Sequence, residues 1–279
     1  EVDLAATGAN RQIEGDVGLS NTAPTNAVRK GGYTQISTKV VEVSSTNQAV
    51  NGVANAQTVA KQVAYKLSEL KRDMEAMLLD NVAAAAGSSG NARQTAGLPA
   101  YLTSNVSRGS GGANGTTSGS GESGFVNAAA TDGTLRPLTE ALLKTVIQSC
   151  WNNGAEPSIV MCGPEQKQKI STFTGNATKF QDVDAKRLTA AVDVYISDFG
   201  TVEIVPQRHM RKRTVSSVVH TPDVLVLDPS YAEVAYLQTA KQEALAKTGL
   251  SERRLISCEY GLQVTSQKAH GIVADCNAS

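Results

Sequence analysis

Apolar residues recur along residues 53–86 with gaps alternating between three and four: Val53, Ala56, Ala60, Val63, Leu67, Leu70, Met74 and Met77. That spacing keeps one seam on one side of a helix. Gln57, Lys61, Lys66, Lys71, Arg72, Asp73 and Glu75 fall off the seam, and Gly87-Ser-Ser-Gly90 supplies a stop. The pattern predicts one helix over 53–86, ~50 Å long at ~1.5 Å per residue. Its seam of Ala, Val and Met is too narrow to fold alone, so sheets and loops of the same chain are expected along it. A two-stranded coiled coil is the lesser reading, because flanking charges pair poorly and no further heptads follow.

Upstream, Ile36, Thr38 and Val40 alternate before Val41 and Val43 take over, and Ser44-Ser-Thr-Asn47 offers turn chemistry. This predicts an extended ribbon over 33–50 with too little apolar surface to hold by itself, so it needs a partner surface, for which another subunit is a candidate. Residues 1–32 show no period and are expected to be ordered only against something else. Residues 104–124 are rich in Gly and Ser and read as a flexible surface loop. Within them Gly119-Ser-Gly121-Glu-Ser-Gly124 matches the dinucleotide fingerprint formally, but no strand precedes it and no apolar helix follows.

Farther on, Pro137 and Gly154 bracket a helix carrying Leu138, Leu142, Val146, Ile147 and Cys150. A short buried strand follows at 158–162, then a helix opened by Gly163-Pro164 and running to Ile170, then a loop over 174–186. Val192, Val194, Ile196, Val202 and Ile204 predict a hairpin around Phe199-Gly200. Val224 to Leu227 reads as a buried strand, Val234 and Tyr236 continue extended, and Ile256 to Val264 alternate over nine residues. The fold class is α+β, with non-adjacent antiparallel strands.

Composition narrows the function. Hydrophobic residues make up 41% and aromatics only 4%, so packing rests on aliphatic side chains; 24 glycines imply many loops. Lys plus Arg equals Asp plus Glu at 26 each, so no global field draws the chain to nucleic acid or membrane. Four cysteines without a CxxC pair, and three histidines, make a zinc site or a disulfide framework unexpected and fit a reducing cytoplasm. No cofactor and no metal are expected. No run of apolar residues reaches membrane-spanning length, and no secretory leader is read at the start.

Catalytic signatures are missing: there is no Gly-x-Ser-x-Gly elbow and no phosphate-cradling glycine loop ending in Lys-Ser/Thr. His209, His220 and His270 read as surface or hydrogen-bonded residues, and Cys150 beside Trp151 as a buried thiol. The basic cluster Arg208, His209, Arg211, Lys212 and Arg213 lacks the aromatic residues that stack bases. It reads as a subunit contact or a solvated loop before a nucleic-acid patch, with Asp182, Asp184, Glu243 or Glu252 as acidic counterparts.

The order of parts (loose arm, ribbon, long helix, mixed body) resembles the Hong Kong 97-type fold of tailed-phage major capsid proteins, most closely a podophage major head protein family. The matching words are Tyr33-Thr-Gln-Ile-Ser-Thr-Lys39, Glu69-Leu-Lys-Arg-Asp-Met-Glu75, and Ala92-Arg93 with Gly97-Leu98. Later come Asp193-Val-Tyr-Ile-Ser-Asp-Phe-Gly200, Val226-Leu-Asp-Pro-Ser-Tyr231, Val234-Ala-Tyr-Leu237, Leu245-Ala-Lys-Thr-Gly249 and Glu252-Arg-Arg-Leu255. The resemblance implies an N-arm over 1–32, an E-loop over 33–51, a peripheral domain over 52–134 with the spine helix 53–86, an axial domain over 135–230, and a return to the peripheral domain over 231–279. It implies a non-enzymatic subunit that assembles with itself as hexamers and pentamers into an icosahedral head around double-stranded DNA. Portal, scaffolding and cement proteins are the further partners implied, DNA contact would be weak and non-specific, and assembly would take place in the host cytoplasm. An encapsulin-like nanocompartment shell is the first alternative, and a nucleic-acid-binding protein using the 208–213 basic cluster is the lesser one. Inter-subunit contacts are expected at Tyr33, Ile36, Lys39, Val41 and Glu42 of the ribbon, and at Arg208, Arg211, Lys212 and Arg213 with Asp182 and Asp184. Removal of 34–50 is expected to leave a folded subunit that cannot assemble.

Overall fold

A computed structural model describes residues 14–15, 30–49, 58–118, 124–173, 194–210, 212–215, 218–247 and 249–277. In chain order its elements are β1 (Gln35–Ser44), α1 (Ser45–Ala49), α2 (Val59–Leu78), α3 (Leu98–Tyr101), β2 (Val106–Ser107), β3 (Thr116–Ser118) and β4 (Phe125–Ala128). Then come α4 (Glu140–Asn152), β5 (Ile159–Cys162), α5 (Pro164–Ile170), β6 (Val194–Ser197), β7 (Gly200–Pro206), β8 (Arg213–Val215) and β9 (Val218–His220). The chain closes with β10 (Val224–Leu227), β11 (Ala232–Ala244), β12 (Ser251–Val264) and β13 (Gly271–Val273).

Two sheets organise the body. A six-stranded sheet runs β2-β13-β10-β5-β7-β6, and a three-stranded sheet runs β1-β12-β11. The short apolar strands β5 and β10 are buried on both faces, as continuous hydrophobic runs require. Val160, Cys162, Val224 and Val226 meet Leu143, Val146, Ile147 and Cys150 of α4, while Met161, Leu225 and Leu227 meet Leu98, Leu102 and Met210 on the other side. Thr139 caps α4, its hydroxyl accepting from the Leu142 amide, and Gly154 ends the turn at φ +81°. The bracketed helix, the strand after it, α5 and the 194–206 hairpin all fall where their patterns place them.

Helix α2 lies across the three-stranded sheet. Leu70, Met74 and Leu78 face Val41, Val43, Ile256, Cys258 and Tyr260, with Val59, Val63 and Leu67 packed alongside. The rod is shorter than its periodicity suggests. It ends at Leu78 rather than Ala86, and residues 50–57 lie outside the described residues. Asp80 and Asn81 stop it: the Asp80 carboxylate accepts from the Asn81 amide at 2.9 Å, and the Asn81 side chain donates to Ala130 O at 2.7 Å. Ala84 and Ala85 then run extended, bonding Val126 and Gln94. Alanine's helix propensity, worth only tenths of a kcal/mol per residue, yields to these tertiary bonds.

The 33–50 ribbon is also bound differently from expectation. All ten residues of β1 pair antiparallel with β12 of the same chain, from Gln35↔Tyr260 to Ser44↔Ser251, and Ser45–Ala49 form a helical turn. The partner surface is the subunit's own hairpin.

The Gly/Ser-rich stretch is a correction as well. Residues 104–118 are built into the body, and only 119–123 of that run lie outside the described residues. β2 adds parallel to β13, and β3 pairs with β4. The buried Asn105 amide donates to Lys268 O at 2.6 Å and His270 O at 3.0 Å, and its oxygen accepts from Asn153 at 2.8 Å. The glycines here serve close approach. A Cβ on Gly109 would stand 2.0 Å from Thr134 O, and one on Gly271 would stand 2.3 Å from Val146 Cγ1, forcing α4 off the sheet. Because β2 and β13 share a sheet with β5, β7 and β10, the boundaries at 134/135 and 230/231 do not divide the sheets.

Where β10 passes into β11, His270 is fully buried and its Nδ1 accepts from the Asp228 amide at 3.3 Å. Burial holds its pKa below the ordinary 6.5, against opposing contributions from the Tyr231 backbone and the Asp228 charge. The unfolded chain therefore binds this proton more readily than the native one. Stability is complete above pH 6.5 and falls as the pH drops below it toward the lowered folded value. Thermal unfolding between pH 7.5 and 5.5 is expected to show this slope, and His270→Asn to flatten it; an unchanged slope in the variant would assign the proton uptake elsewhere.

Candidate functional site

The subunit's own packing leaves several large apolar side chains exposed. On β1 the side chains alternate, so Val41 and Val43 point into the core, both 4% exposed, while Ile36 and Val40 point outward at 56% and 45%. Across the register, Val40 stands opposite Leu255 and Glu42 opposite Arg253. From Ala235 onward every residue of β11 is exposed, and Leu250 at the turn of the hairpin is 83% exposed. β1 and β11 are the outer strands of their sheet, so each presents an edge of backbone donors and acceptors. Further exposed apolar residues are Val194 and Ile196 on β6, the edge of the larger sheet, and Trp151 at the end of α4, whose ring meets Phe199 at 5.4 Å.

Ribbon residues expected at subunit contacts divide by the pleat. Tyr33 stacks on Phe125 at 4.2 Å, and Lys39 pairs with Asp73 at 2.6 Å, both within the chain. Val41 is a core residue against α2, which corrects its placement among contact residues. Ile36 and Glu42 remain outward; Glu42 accepts from the Ser251 hydroxyl at 2.7 Å and lies 3.6 Å from Arg253. One position along a strand reverses the face.

The basic cluster is partly consumed inside the subunit. Met210 is buried beside Leu98 and Leu225. The preceding Gln207 donates to Glu75 of α2 at 2.8 Å. Lys212 pairs with Glu165 of its own chain, holding that carboxyl below its usual range, and Glu252 pairs with Arg254 at 2.5 Å. Arg208 is exposed. Arg211, Asp182, Asp184 and the Arg213 side chain lie outside the described residues.

Chemical candidates fare as follows. All four cysteines are free and buried, and burial pushes Cys150 and Cys276 up to about 12 and Cys162 to about 11. Thiols so protonated are poor nucleophiles. Sequence reading missed Trp151, Val194, Ile196 and Leu250 as surface anchors; the first sits off the seam of α4, and that offset was the available signal. It also missed a convergence of Asp132, His220 and Asp275.

Over this framework, the family model for the SU10 major capsid protein matches residues 1–277. The chain belongs to the SU10 major capsid protein family. No curated protein matches it by sequence, so family and fold carry the assignment. The fold is similar to that in the satellite phage P4 procapsid (TM-score 0.55, 12% identity, covering 99% of this chain and 82% of that one). It is similar to the capsid of cyanophage P-SCSP1u (TM-score 0.52, 13% identity, 95% and 82%). The holo-SrpI encapsulin from Synechococcus elongatus PCC 7942 shares it too (TM-score 0.53, 12% identity, 88% and 75%).

This SU10-type subunit thus has a Hong Kong 97-like fold and is a major capsid protein, a structural component of a phage virion. Among the described residues no helix is long and apolar enough to cross a membrane.

Proposed function

We propose that the subunit assembles with its own copies, as hexamers and pentamers, into a closed icosahedral head around double-stranded DNA, and that the outward face of β1 is a principal contact. The match of the capsid family over 1–277 carries this reading. Exposed Ile36 and Val40 support the choice of surface, since fully burying one such side chain is worth about 1.5–3 kcal/mol. Repeated over a closed symmetric shell, contacts of that size give a strong wall. In this reading 1–32 is the N-arm, and the E-loop is the free face and distal end of the β1–β12–β11 ribbon rather than a detached segment. The six-stranded sheet with α4 and α5 is the axial part, with its β6 edge toward neighbouring copies. Portal, scaffolding and cement proteins dock on the assembled shell, and assembly takes place in the host cytoplasm. Balanced charge, 26 of each sign, suits a wall that encloses DNA without binding it tightly.

Expression of the full chain, followed by electron microscopy of the particles and assay of their contents, tests this. Closed particles of uniform diameter are expected, with nucleic acid enclosed when the packaging proteins are present. A monomer at micromolar concentration would contradict the reading. Shells that instead enclose a specific protein cargo would favour the encapsulin-like reading that the shared fold permits.

A further inference from the structure

We propose that Asp132, His220 and Asp275 form a binding site for a first-row divalent cation, with zinc as the ion of best fit. One ligand atom from each of the three lies within 4.8 Å of the other two. They come from three separated segments: the loop after β4, the end of β9 and the turn after β13. An ion there would pin the C-terminal turn and the end of β9 to the glycine-rich loop.

The observation pointing to a ligand is His220. It is 5% exposed, and its Nδ1 has no hydrogen-bond partner among the described residues. A buried polar atom left so costs about 1–3 kcal/mol, and native structures rarely keep one without cause. Its ring reaches the two carboxylates, and an imidazole with two carboxylates is a donor set that first-row divalent ions prefer to calcium's all-oxygen shell.

Asp275 is built to serve. It is 1% exposed, with Oδ1 accepting from the Gly133 amide and Oδ2 from the Gly109 amide, both at 2.9 Å. Each oxygen keeps a lone pair after accepting one bond. These amides do for Asp275 what outer-shell partners do for metal-bound carboxylates: they fix its direction. A Cβ on Gly112 would stand 3.2 Å from Oδ2 and 3.1 Å from the Gly133 amide, so a side chain there would push against the carboxylate by a few tenths of an ångström. Asp275 itself sits at φ +58°, a conformation aspartate tolerates better than most residues, and its amide donates to Asp223 at 3.3 Å.

Tetrahedral coordination at ~2.1 Å separates ligand atoms by about 3.4 Å. Separations of up to 4.8 Å therefore require the ligands to draw in by roughly 1 Å. Asp132, the only one of the three that is partly exposed, is the group able to move.

The test uses the full chain, stripped with EDTA, then titrated with Zn2+, Mn2+, Ca2+ or Mg2+ while thermal unfolding and bound metal are measured. One Zn2+ per chain is expected, raising Tm by several degrees. His220→Ala and Asp132→Asn should each lose that shift and the bound ion; Asp132→Asn leaves shape and burial nearly unchanged, so it stays informative if His220→Ala fails to fold. No Tm change with any of the four ions would overturn the site. So would zinc binding that persists undiminished in Asp132→Asn, because the ion would then be held by other donors such as the cysteines.

Discussion

Val41→Asp is expected to yield no soluble subunit. The side chain is 4% exposed and packs with Leu70, Met74 and Ile256 where α2 crosses the three-stranded sheet. Substitution forfeits about 1.5–3 kcal/mol of apolar burial. It also places a carboxylate where nothing pairs with it, at an effective cost of several kcal/mol more. Against a total stability of about 5–15 kcal/mol for a domain, that sum removes most of the margin. The soluble fraction after expression, and far-UV circular dichroism of whatever is recovered, measure it. A variant that folds and melts like the parent would show that β1 is not fixed to the body. By the same argument, deletion of 34–50 removes a core strand and is expected to abolish folding rather than spare it.

The neighbouring position should behave in the opposite way. Val40→Asp, alone or with Ile36→Asp, acts on the outward face, where the change stays within about 0.5 kcal/mol of neutral for the isolated subunit. Circular dichroism and Tm are therefore expected to match the parent. Assembly is expected to fail, because each inter-subunit contact would bury an unpaired carboxylate, and the penalty recurs at every copy around the shell. Sedimentation velocity resolves the outcomes: slow species in place of particles support the assignment. Shells of normal size and heat resistance would remove the outward face of β1 from the interface.

This contrast also marks what the amino-acid pattern could convey. Alternation over Ile256–Val264 and the Pro137–Gly154 bracket locate β12 and α4 because local period and end signals agree there with tertiary packing. Along 36–43 the phase of alternation switches at Val40–Val41, and nothing local says which set faces the core; α2 decides it. The end of α2 was obscured by Ala83–Ala86, whose propensity continues past Leu78 while Asp80 and Asn81 redirect the backbone through bonds to a segment fifty residues away. Glycine at 109, 112 and 271 looks like loop composition until the atoms crowding each position are known. The Asp132, His220 and Asp275 group had no linear signature, since its members lie far apart in the chain and meet only through the fold. The outward apolar residues were half legible: Ile36 was expected at a contact, whereas Trp151 and Leu250 look like ordinary aliphatic and aromatic positions until their exposure is measured.

A cryo-electron microscopy reconstruction of particles formed by the full chain decides whether the outward face of β1 is a subunit contact. β1 is expected to stay paired with β12 of its own subunit while Ile36 and Val40 lie in contact with another copy. Finding those two side chains facing solvent in every subunit of the shell, or β1 withdrawn from β12 altogether, would contradict it.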